Sequence, residues 1–234
     1  MALLGATAVC VAFCQGRERL WAVNWLPWMM LNLGLAWIPY LLALLLEGVL
    51  CTLTADAAVH PSPLISKRRR TGYGVVLGLA AIWLAFLPNA AYLVTDMAHW
   101  QPVKGMPAWC DLVYMFSLAW TGLALSYGAI HGLHEWISER WGFRVGWSFA
   151  LSALALSTAG VYVGRFWRWN SWEVMTRPSM LAADLARLGD GAVAQRAATF
   201  CGAFFVLCVM NYGVLHTLHR SAVSPGLAPE GSAP

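Results

Sequence analysis

Long apolar segments alternate with short polar ones along most of this chain. A helix needs about 20 apolar residues to cross about 30 Å of hydrocarbon, and five segments reach that length. The pattern predicts membrane-spanning helices over residues 25–46, 72–95, 108–130, 145–164 and 199–217. Residues 2–14 are apolar but shorter, and they would cover only about 20 Å as a helix. We therefore expect six spans with a short first one, or five if residues 2–14 do not cross.

The composition supports a membrane protein. Of the 234 residues, 59% are hydrophobic and 11% are charged, whereas soluble domains carry about 45–50% apolar and about 25% charged residues. The 14 tryptophans are typical of membrane–water interfaces, which favour the amphipathic indole ring. We expect an all-α, polytopic transmembrane helical bundle that forms a single domain over residues 1–220. Residues 221–234 are rich in Pro, Gly and Ser and are predicted to form a disordered polar tail.

The charges bear on partners and on orientation. The net charge is only +4 and the basic residues are dispersed among apolar spans, so we expect the lipid bilayer, and not nucleic acid, as a partner. Basic residues are divided almost equally between the two sides. The positive-inside rule gives most weight to charges near span ends, and the run Lys67–Arg70 directly precedes the third span. We therefore place this run and the N-terminus in the cytoplasm, with residues 96–107 and 165–198 outside.

The third predicted span contains a proline followed by polar residues. Pro88 lacks a backbone N–H and clashes with the preceding turn, so we expect a kink there. Asn89, Tyr92 and Asp96 stand at i, i+3 and i+7 and share one helix face. A polar stripe beside a kink is typical of binding sites in transporters. The alternative is an architectural kink, with Asn89 satisfying backbone groups and Asp96 hydrated at the interface.

Residues 160–178 combine charges and indole rings at the end of the fifth predicted span. The segment reads GVYVGRFWRWNSWEVMTRP, and it opens with a Gly-x-x-x-Gly motif that allows close helix packing in membranes. It also carries Arg165, Arg168, Asn170 and Glu173. Tryptophan is favoured and charge is tolerated at the membrane–water boundary, so the segment is predicted to lie there.

Charged residues from separate segments are predicted to meet at this outer edge. They are Asp96, Asp111, Arg165, Arg168 and Glu173. We expect them to pair, because an unpaired charge at a low-dielectric boundary costs several kcal/mol. Such a cluster can bind a phosphate, a carboxylate or a lipid headgroup through the arginine fork, or it can be a structural clamp. The candidate ligand-binding residues are Asn89, Tyr92, Asp96, Asp111, Arg165, Arg168, Asn170 and Glu173, and no catalytic residue is predicted.

A small surface helix is predicted within residues 174–198. Ser179 is a suitable N-cap, and Leu181, Leu185 and Leu188 share one face. An amphipathic helix of this kind is expected to lie in the plane of the lipid headgroups.

Two histidine pairs end the fourth and sixth predicted spans. His131 and His134 form one pair, and His216 and His219 form the other. Histidines at this spacing on two helices can hold a metal or a haem. They stand at helix ends without cysteine or carboxylate partners, so solvated interfacial histidines are the preferred interpretation, and we expect no metal and no cofactor. Sequence motifs of soluble enzymes, such as a Walker A loop or H-E-x-x-H, are absent.

Three stretches carry a resemblance to a known family. FLPNAAYLVTD, AWCDLVYMFSLAWTG and GVYVGRFWRWNSWEVMTRP resemble, in order and spacing, the bacterial membrane family catalogued as domain of unknown function 1361. The stretches run from Phe86 to Pro178, and we expect the resemblance to cover most of residues 25–217. It implies a multi-span bacterial inner-membrane protein without an assigned activity. The family's usual wording is close to LPNAPY, so Ala91 replaces a second proline and implies a softer kink.

Three functions remain open from the sequence. The first is transport or binding of an anionic small molecule or lipid headgroup at the edge formed by Asp96, Arg165 and Arg168. The second is an intramembrane enzyme for a lipid-linked substrate, with Asp96 or Asp111 as general base. The third is a structural subunit of a homo- or hetero-oligomer, which would use its small-residue motif and Trp-rich edges.

Overall fold

The computed structural model describes residues 1–21, 27–59, 63–100 and 105–223. Nearly all of these residues are helical, and none of them forms a strand. The helices are α1 (Ala2–Trp21), α2 (Pro27–Val59), α3 (Pro63–Phe86), α4 (Pro88–Thr95), α5 (Ala108–Trp141), α6 (Phe143–Trp167), α7 (Ser171–Thr176), α8 (Pro178–Ala186) and α9 (Gly191–Val223). Short 3₁₀ turns, Asp96–His99 and Arg187–Gly189, follow α4 and α8.

Five helical segments in the described ranges are long and apolar enough to cross a membrane. They are Trp28–Ala55, Arg70–His99, Ala108–Trp141, Phe143–Trp167 and Gly191–Ala222. They correspond to the five full-length predicted spans, so the expected all-α polytopic bundle is confirmed. The predicted start of the second span, at residue 25, lies outside the described residues.

Several helices continue beyond their predicted ends, and α5 and α9 are the cases that bear on the site. α5 runs to Trp141 and α9 to Val223, whereas the hydropathy pattern ends these spans at residues 130 and 217. The difference arises because polar turns extend a helix without adding to its hydropathy. Residues 221–223 therefore belong to α9 and not to the predicted tail, and the rest of the tail lies outside the described residues.

The first helix packs along α5 and runs antiparallel to it. Cys10 Sγ lies 3.5 Å from Thr121 Oγ1, and Arg17 NH2 lies 2.9 Å from Asp111 Oδ1. Residue numbers in contact therefore decrease along α5 as they increase along α1, which shows that the two helices are antiparallel. α1 continues to Trp21, well beyond the predicted end at residue 14, and it is not among the five span candidates in the described ranges. That α1 crosses the membrane stays a prediction. The packing of α1 on α5 does not depend on that prediction.

The helix break predicted at Pro88 is present. α3 ends at Phe86 and α4 begins at Pro88, because proline supplies no N–H to continue the ladder. α4 then packs closely against two neighbouring helices. A Cβ added to Gly122 of α5 would collide with the Ala90 carbonyl oxygen, and a Cβ added to Gly160 of α6 would collide with the Pro88 ring. The small-residue motif of α6 thus serves a contact within the chain.

These contacts define two ends of the bundle. The arginine end comprises the Asp96–His99 turn, the start of α5 and the end of α6, where Arg165 contacts His99. The histidine end comprises the last turns of α5 and α9, where His134 Nδ1 lies 2.7 Å from the Tyr212 hydroxyl. The Arg165–His99 and His134–Tyr212 contacts therefore lie at opposite ends of the bundle.

Candidate functional site

Asp96 lies inside the arginine end and joins three helices. Its side chain is 1% exposed and accepts a hydrogen bond of 3.0 Å from Asn32 Nδ2 on α2. Arg165 NH1 of α6 lies 3.8 Å from Asp96 Oδ1. The alternative in which Asp96 is simply hydrated at the interface is therefore wrong, because two neighbouring helices cover the carboxylate. Asp96 and Arg165, two of the five charged residues that were expected to pair with one another, lie within ion-pair distance.

Arg165 is held in place by Asp96 and by His99. Both NH1 and NH2 lie 3.2 Å from His99 Nδ1, an arrangement in which the guanidinium donates to a neutral imidazole nitrogen. The His99 ring in turn meets the edge of Trp28, with ring centroids 4.9 Å apart. A guanidinium has five N–H donors in a rigid fork, so this anchoring orients Arg165 and leaves donor capacity for a ligand.

Sequence reasoning missed Asn32 and His99. Asn32 is a polar residue within an otherwise apolar span, which is itself a signal for a functional or buried contact in a membrane. His99 stands three residues after Asp96 in the segment already singled out. Both residues would have been found by asking which polar side chains share the level of Asp96 in the bundle.

A large cavity lies next to Arg165. Its volume is about 1000 Å³, and α2, α3, α4, α6, α7 and α8 all contribute to its walls. Polar residues line one part of it: Asn32, Asn89, His99, Arg165, Arg168, Asn170 and Ser171. Apolar residues line the rest, among them Leu84, Leu156, Ala159, Val163, Leu181 and Leu185. The cavity therefore has a cationic region and an apolar region.

The cavity extends from the bundle edge toward the middle of the membrane. Arg165 and Leu156 both line it, and nine residues of α6 separate them by about 14 Å. This depth is roughly half of the hydrocarbon thickness, which is about 30 Å. Leu156, Trp172 and Leu185 line the cavity and are 43–53% exposed, so the cavity is not enclosed along this wall. The apolar region is thus open at the side of a membrane-spanning helix.

The segment after α6 closes the polar part of the cavity. Arg168 ends α6 with a positive φ of 59°, the left-handed conformation that commonly ends a helix. Asn170 and Glu173 form the capping box of α7: Glu173 Oε2 accepts hydrogen bonds from Asn170 N at 3.0 Å and Asn170 Nδ2 at 2.9 Å. These bonds, the backbone one first, lower the pKa of Glu173 below its ordinary value. Glu173 therefore caps a helix, and its described ion pair is with Arg177.

α8 forms a wall of the cavity. It begins at Pro178 with Arg177 as the N-cap residue, so the predicted cap at Ser179 is wrong, because proline fits the first turn of a helix. Trp169 Nε1 donates a hydrogen bond of 2.9 Å to Asp184 Oδ2 of α8. This bond holds α8 against the end of α6. Leu181 and Leu185 of α8 line the cavity.

Asn89 and Tyr92 both line the cavity, as predicted for one helix face. Asn89 Nδ2 donates a hydrogen bond of 2.9 Å to Ser171 Oγ, so its amide joins α4 to α7 and does not replace a backbone bond at the break. The Tyr92 ring lies about 3.5 Å from the position of a Cβ at Gly164. This distance is an ordinary van der Waals contact, so Tyr92 packs against α6 beside Gly164.

Asp111 does not belong to the same cluster. It pairs with Arg17 of α1 at 2.9 Å, and the two side chains are 2% and 3% exposed, respectively. The prediction of a single charged cluster at the arginine end is therefore wrong. Two separate pairs are present: Asp111 with Arg17, both buried, and the buried Asp96 with the half-buried Arg165. The antiparallel docking of α1 on α5 places Arg17 beside the first turn of α5, which the sequence did not reveal.

One histidine of each pair is buried between the helices, whereas His219 is exposed as expected and His131 is half-buried. His134 is 1% exposed and His216 is 5% exposed, which contradicts the expectation of interfacial, hydrated side chains. The expected lack of a carboxylate partner is also wrong, since Glu135 Oε1 lies 3.8 Å from His216 Nδ1. The reason is that α5 and α9 continue past their apolar parts, so His134 and His216 lie between the helices.

The chain belongs to the family described as "Protein of unknown function (DUF1361)", whose sequence profile matches residues 31–210. This match confirms the family resemblance, and it includes Asp96, Arg165 and most of the cavity lining. No curated protein and no solved structure matches the chain.

Proposed function

We propose that this protein binds an anionic amphiphile, most simply a lipid with a phosphate-bearing headgroup. The headgroup lies against Arg165 and Arg168, and the apolar chain lies along the wall that includes Leu156 and Val163. The single observation that carries this proposal is the cavity of about 1000 Å³ that joins a guanidinium-lined region to an apolar region open at its side. A lipid has the same two chemical parts in the same order.

The charges favour an anion over a cation. Two guanidiniums line the cavity, whereas Asp96 is not among the lining residues. Asp96 is a positioning residue: it holds Arg165 from behind, together with Asn32. Arg165 presents a planar fork that matches the oxygens of a phosphate or carboxylate. In a site of low dielectric constant such a contact is stronger than in water.

The same geometry argues against the enzymatic alternative. The two carboxylates considered as general bases are Asp96 and Asp111. Neither Asp96 nor Asp111 lines the cavity, and Asp111 is paired with Arg17. A general base must come within hydrogen-bond reach of the proton that it removes. The proposal therefore assigns binding or transport, and not chemistry, to the arginine end.

The proposal includes a location and an orientation. We place the protein in a bacterial inner membrane as a multi-pass protein, with the N-terminus and the Lys67–Arg70 run in the cytoplasm. The run directly precedes a span candidate, where the positive-inside rule gives basic residues most weight. In this orientation the arginine end and its cavity face outward and accept lipids from the outer leaflet.

Lipid retention in the purified protein tests the proposal. The delipidated protein is mixed with equal amounts of phosphatidylglycerol and phosphatidylcholine, and the bound lipid is identified by native mass spectrometry. The wild type should retain the anionic lipid selectively. Arg165→Gln should weaken this binding about ten- to hundredfold, because hydrogen bonds to charged groups contribute about 1.5–3 kcal/mol.

The matched control is Arg196→Gln, since Arg196 is an exposed arginine in the first turns of α9 and is not among the cavity residues. It should bind lipid like the wild type. A further arm adds inorganic phosphate, which should compete poorly if the apolar chain contributes to affinity. Equal retention of both lipids, or equal loss in both arginine variants, would contradict the proposal.

A further inference from the structure

Three potential metal ligands converge at the histidine end. His131 and Glu135 stand at i, i+4 on α5 and share one helix face, and His216 faces them from α9. One ligand atom from each residue lies within 4.8 Å of the other two. We propose that His131, Glu135 and His216 bind a divalent first-row transition metal ion such as Zn²⁺, at a site separate from the lipid cavity.

Two of the three proposed ligands have buried ring nitrogens without a hydrogen-bond partner among the described residues. Neither His131 Nδ1 nor His216 Nδ1 has a hydrogen-bond partner among the described residues, and both atoms are buried. A buried polar atom without a partner costs about 1–3 kcal/mol. Glu135 Oε1 lies 3.8 Å from His216 Nδ1, a distance too long for a hydrogen bond. Two imidazole nitrogens and a carboxylate oxygen thus face one another without bonding directly.

The spacing suits a bridging ion. Zinc binds imidazole nitrogen and carboxylate oxygen at about 2.0–2.2 Å, so tetrahedral ligands lie about 3.4 Å apart. The present separations are 3.8 Å for Glu135 to His216 and at most 4.8 Å within the group. Side-chain rotations that shorten these distances by about 0.5–1.5 Å would complete the geometry.

The donor set selects the kind of ion. Two imidazoles with one carboxylate suit Zn²⁺, Fe²⁺ and related ions, whereas Mg²⁺ and Ca²⁺ prefer oxygen ligands alone. Three protein ligands leave a fourth position for water or for a further side chain. His219 is the nearest candidate for this position, since its ring centroid lies 4.6 Å from that of His131.

Aromatic neighbours hold the ligands in place. The Tyr127 ring stacks on His131 with centroids 4.8 Å apart. Trp147 meets the edge of His216 at 5.3 Å, and Tyr212 lies against the same ring. Such surroundings restrict the imidazole orientations and reduce access of water, as the outer shells of metal sites do.

Metal titration of two matched variants tests the site. The protein carries a purification tag without histidine and is stripped with EDTA, and Co²⁺ and Zn²⁺ are then added. The wild type should bind one ion per chain, with visible absorption from Co²⁺ and a raised melting temperature with Zn²⁺. Glu135→Gln should weaken binding at least tenfold. Glu139→Gln, which alters an exposed glutamate one turn later on α5, should bind like the wild type.

The outcomes separate the site from a structural cluster. His131→Asn and His216→Asn should each abolish the Co²⁺ spectrum. If a histidine variant fails to fold in EDTA, the Glu135→Gln and Glu139→Gln pair decides. Less than half an equivalent of bound metal in the wild type, or equal affinity in the two glutamate variants, would overturn the proposal.

Discussion

The buried pair between Arg17 and Asp111 should hold α1 against the bundle. Their atoms are 2.9 Å apart, and the side chains are 3% and 2% exposed. We expect Arg17→Gln to release α1 from α5. The matched control is Arg19→Gln, because Arg19 is two residues away on α1 and is exposed.

The size of the effect follows from the geometry. Two unit charges 2.9 Å apart attract by about 6 kcal/mol at an effective dielectric constant of 20. Desolvation offsets part of this attraction, and removing one partner of a buried pair typically costs about 3–5 kcal/mol. Arg17→Gln and Asp111→Asn should each lower the free energy of unfolding by about this amount. Replacing both residues by Met and Leu should be much less costly than the two single changes together, because no unpaired charge is left behind.

Two measurements check this prediction. The free energy of unfolding is followed in mixed micelles for both single variants, the double variant and the control. Maleimide labelling of Cys10, which is buried between α1 and its neighbours, reports on the docking of α1 in a background where the other five cysteines are replaced. Arg17→Gln should speed the labelling and Arg19→Gln should not. Equal stability of the two arginine variants within about 0.5 kcal/mol, the usual range for surface changes, or simple additivity in the double variant, would refute the reasoning.

Two further predictions concern α6 and α7. Gly160→Ala should destabilise the protein by about 1–3 kcal/mol through overpacking against the Pro88 ring. In the control Gly202→Ala the added methyl group meets open space, so the change should be neutral or should stabilise the protein by up to about 1 kcal/mol through helix propensity. The free energy of unfolding in mixed micelles distinguishes the two variants, and equal effects would contradict the close contact. Because the folded pKa of Glu173 is lowered by Asn170, its cap should stabilise α7 above the ordinary glutamate pKa and lose this effect as the pH falls through the lowered value. The protection of α7 amides against hydrogen exchange, corrected for the intrinsic pH dependence of exchange, should therefore fall in acid in the wild type, and a Glu173→Gln variant that shows the same loss of protection would contradict the assignment.

The positions of some residues at the arginine end could be predicted from the sequence. They follow from hydropathy, from the backbone chemistry of single residues and from the alternating direction of successive spans. The spans are long apolar runs, and each satisfies its own backbone hydrogen bonds, so hydropathy suffices to find them. The break at Pro88 follows from the missing N–H of one residue. Asp96 and Arg165 end successive odd-numbered spans in a six-span arrangement, so their presence at one end follows from the alternation of direction.

The partners of each charged group depended on tertiary structure. Asp111 could have paired with Arg165, but α1 docks antiparallel on α5 and brings Arg17 to it. Glu173 could have joined the arginines, but it caps α7. Glu135 meets His216 only because α5 and α9 are rotated toward each other beyond their apolar parts. Hydropathy specifies where a helix lies along the membrane normal, whereas side-chain packing decides its rotation and neighbours, and polar contacts depend on both.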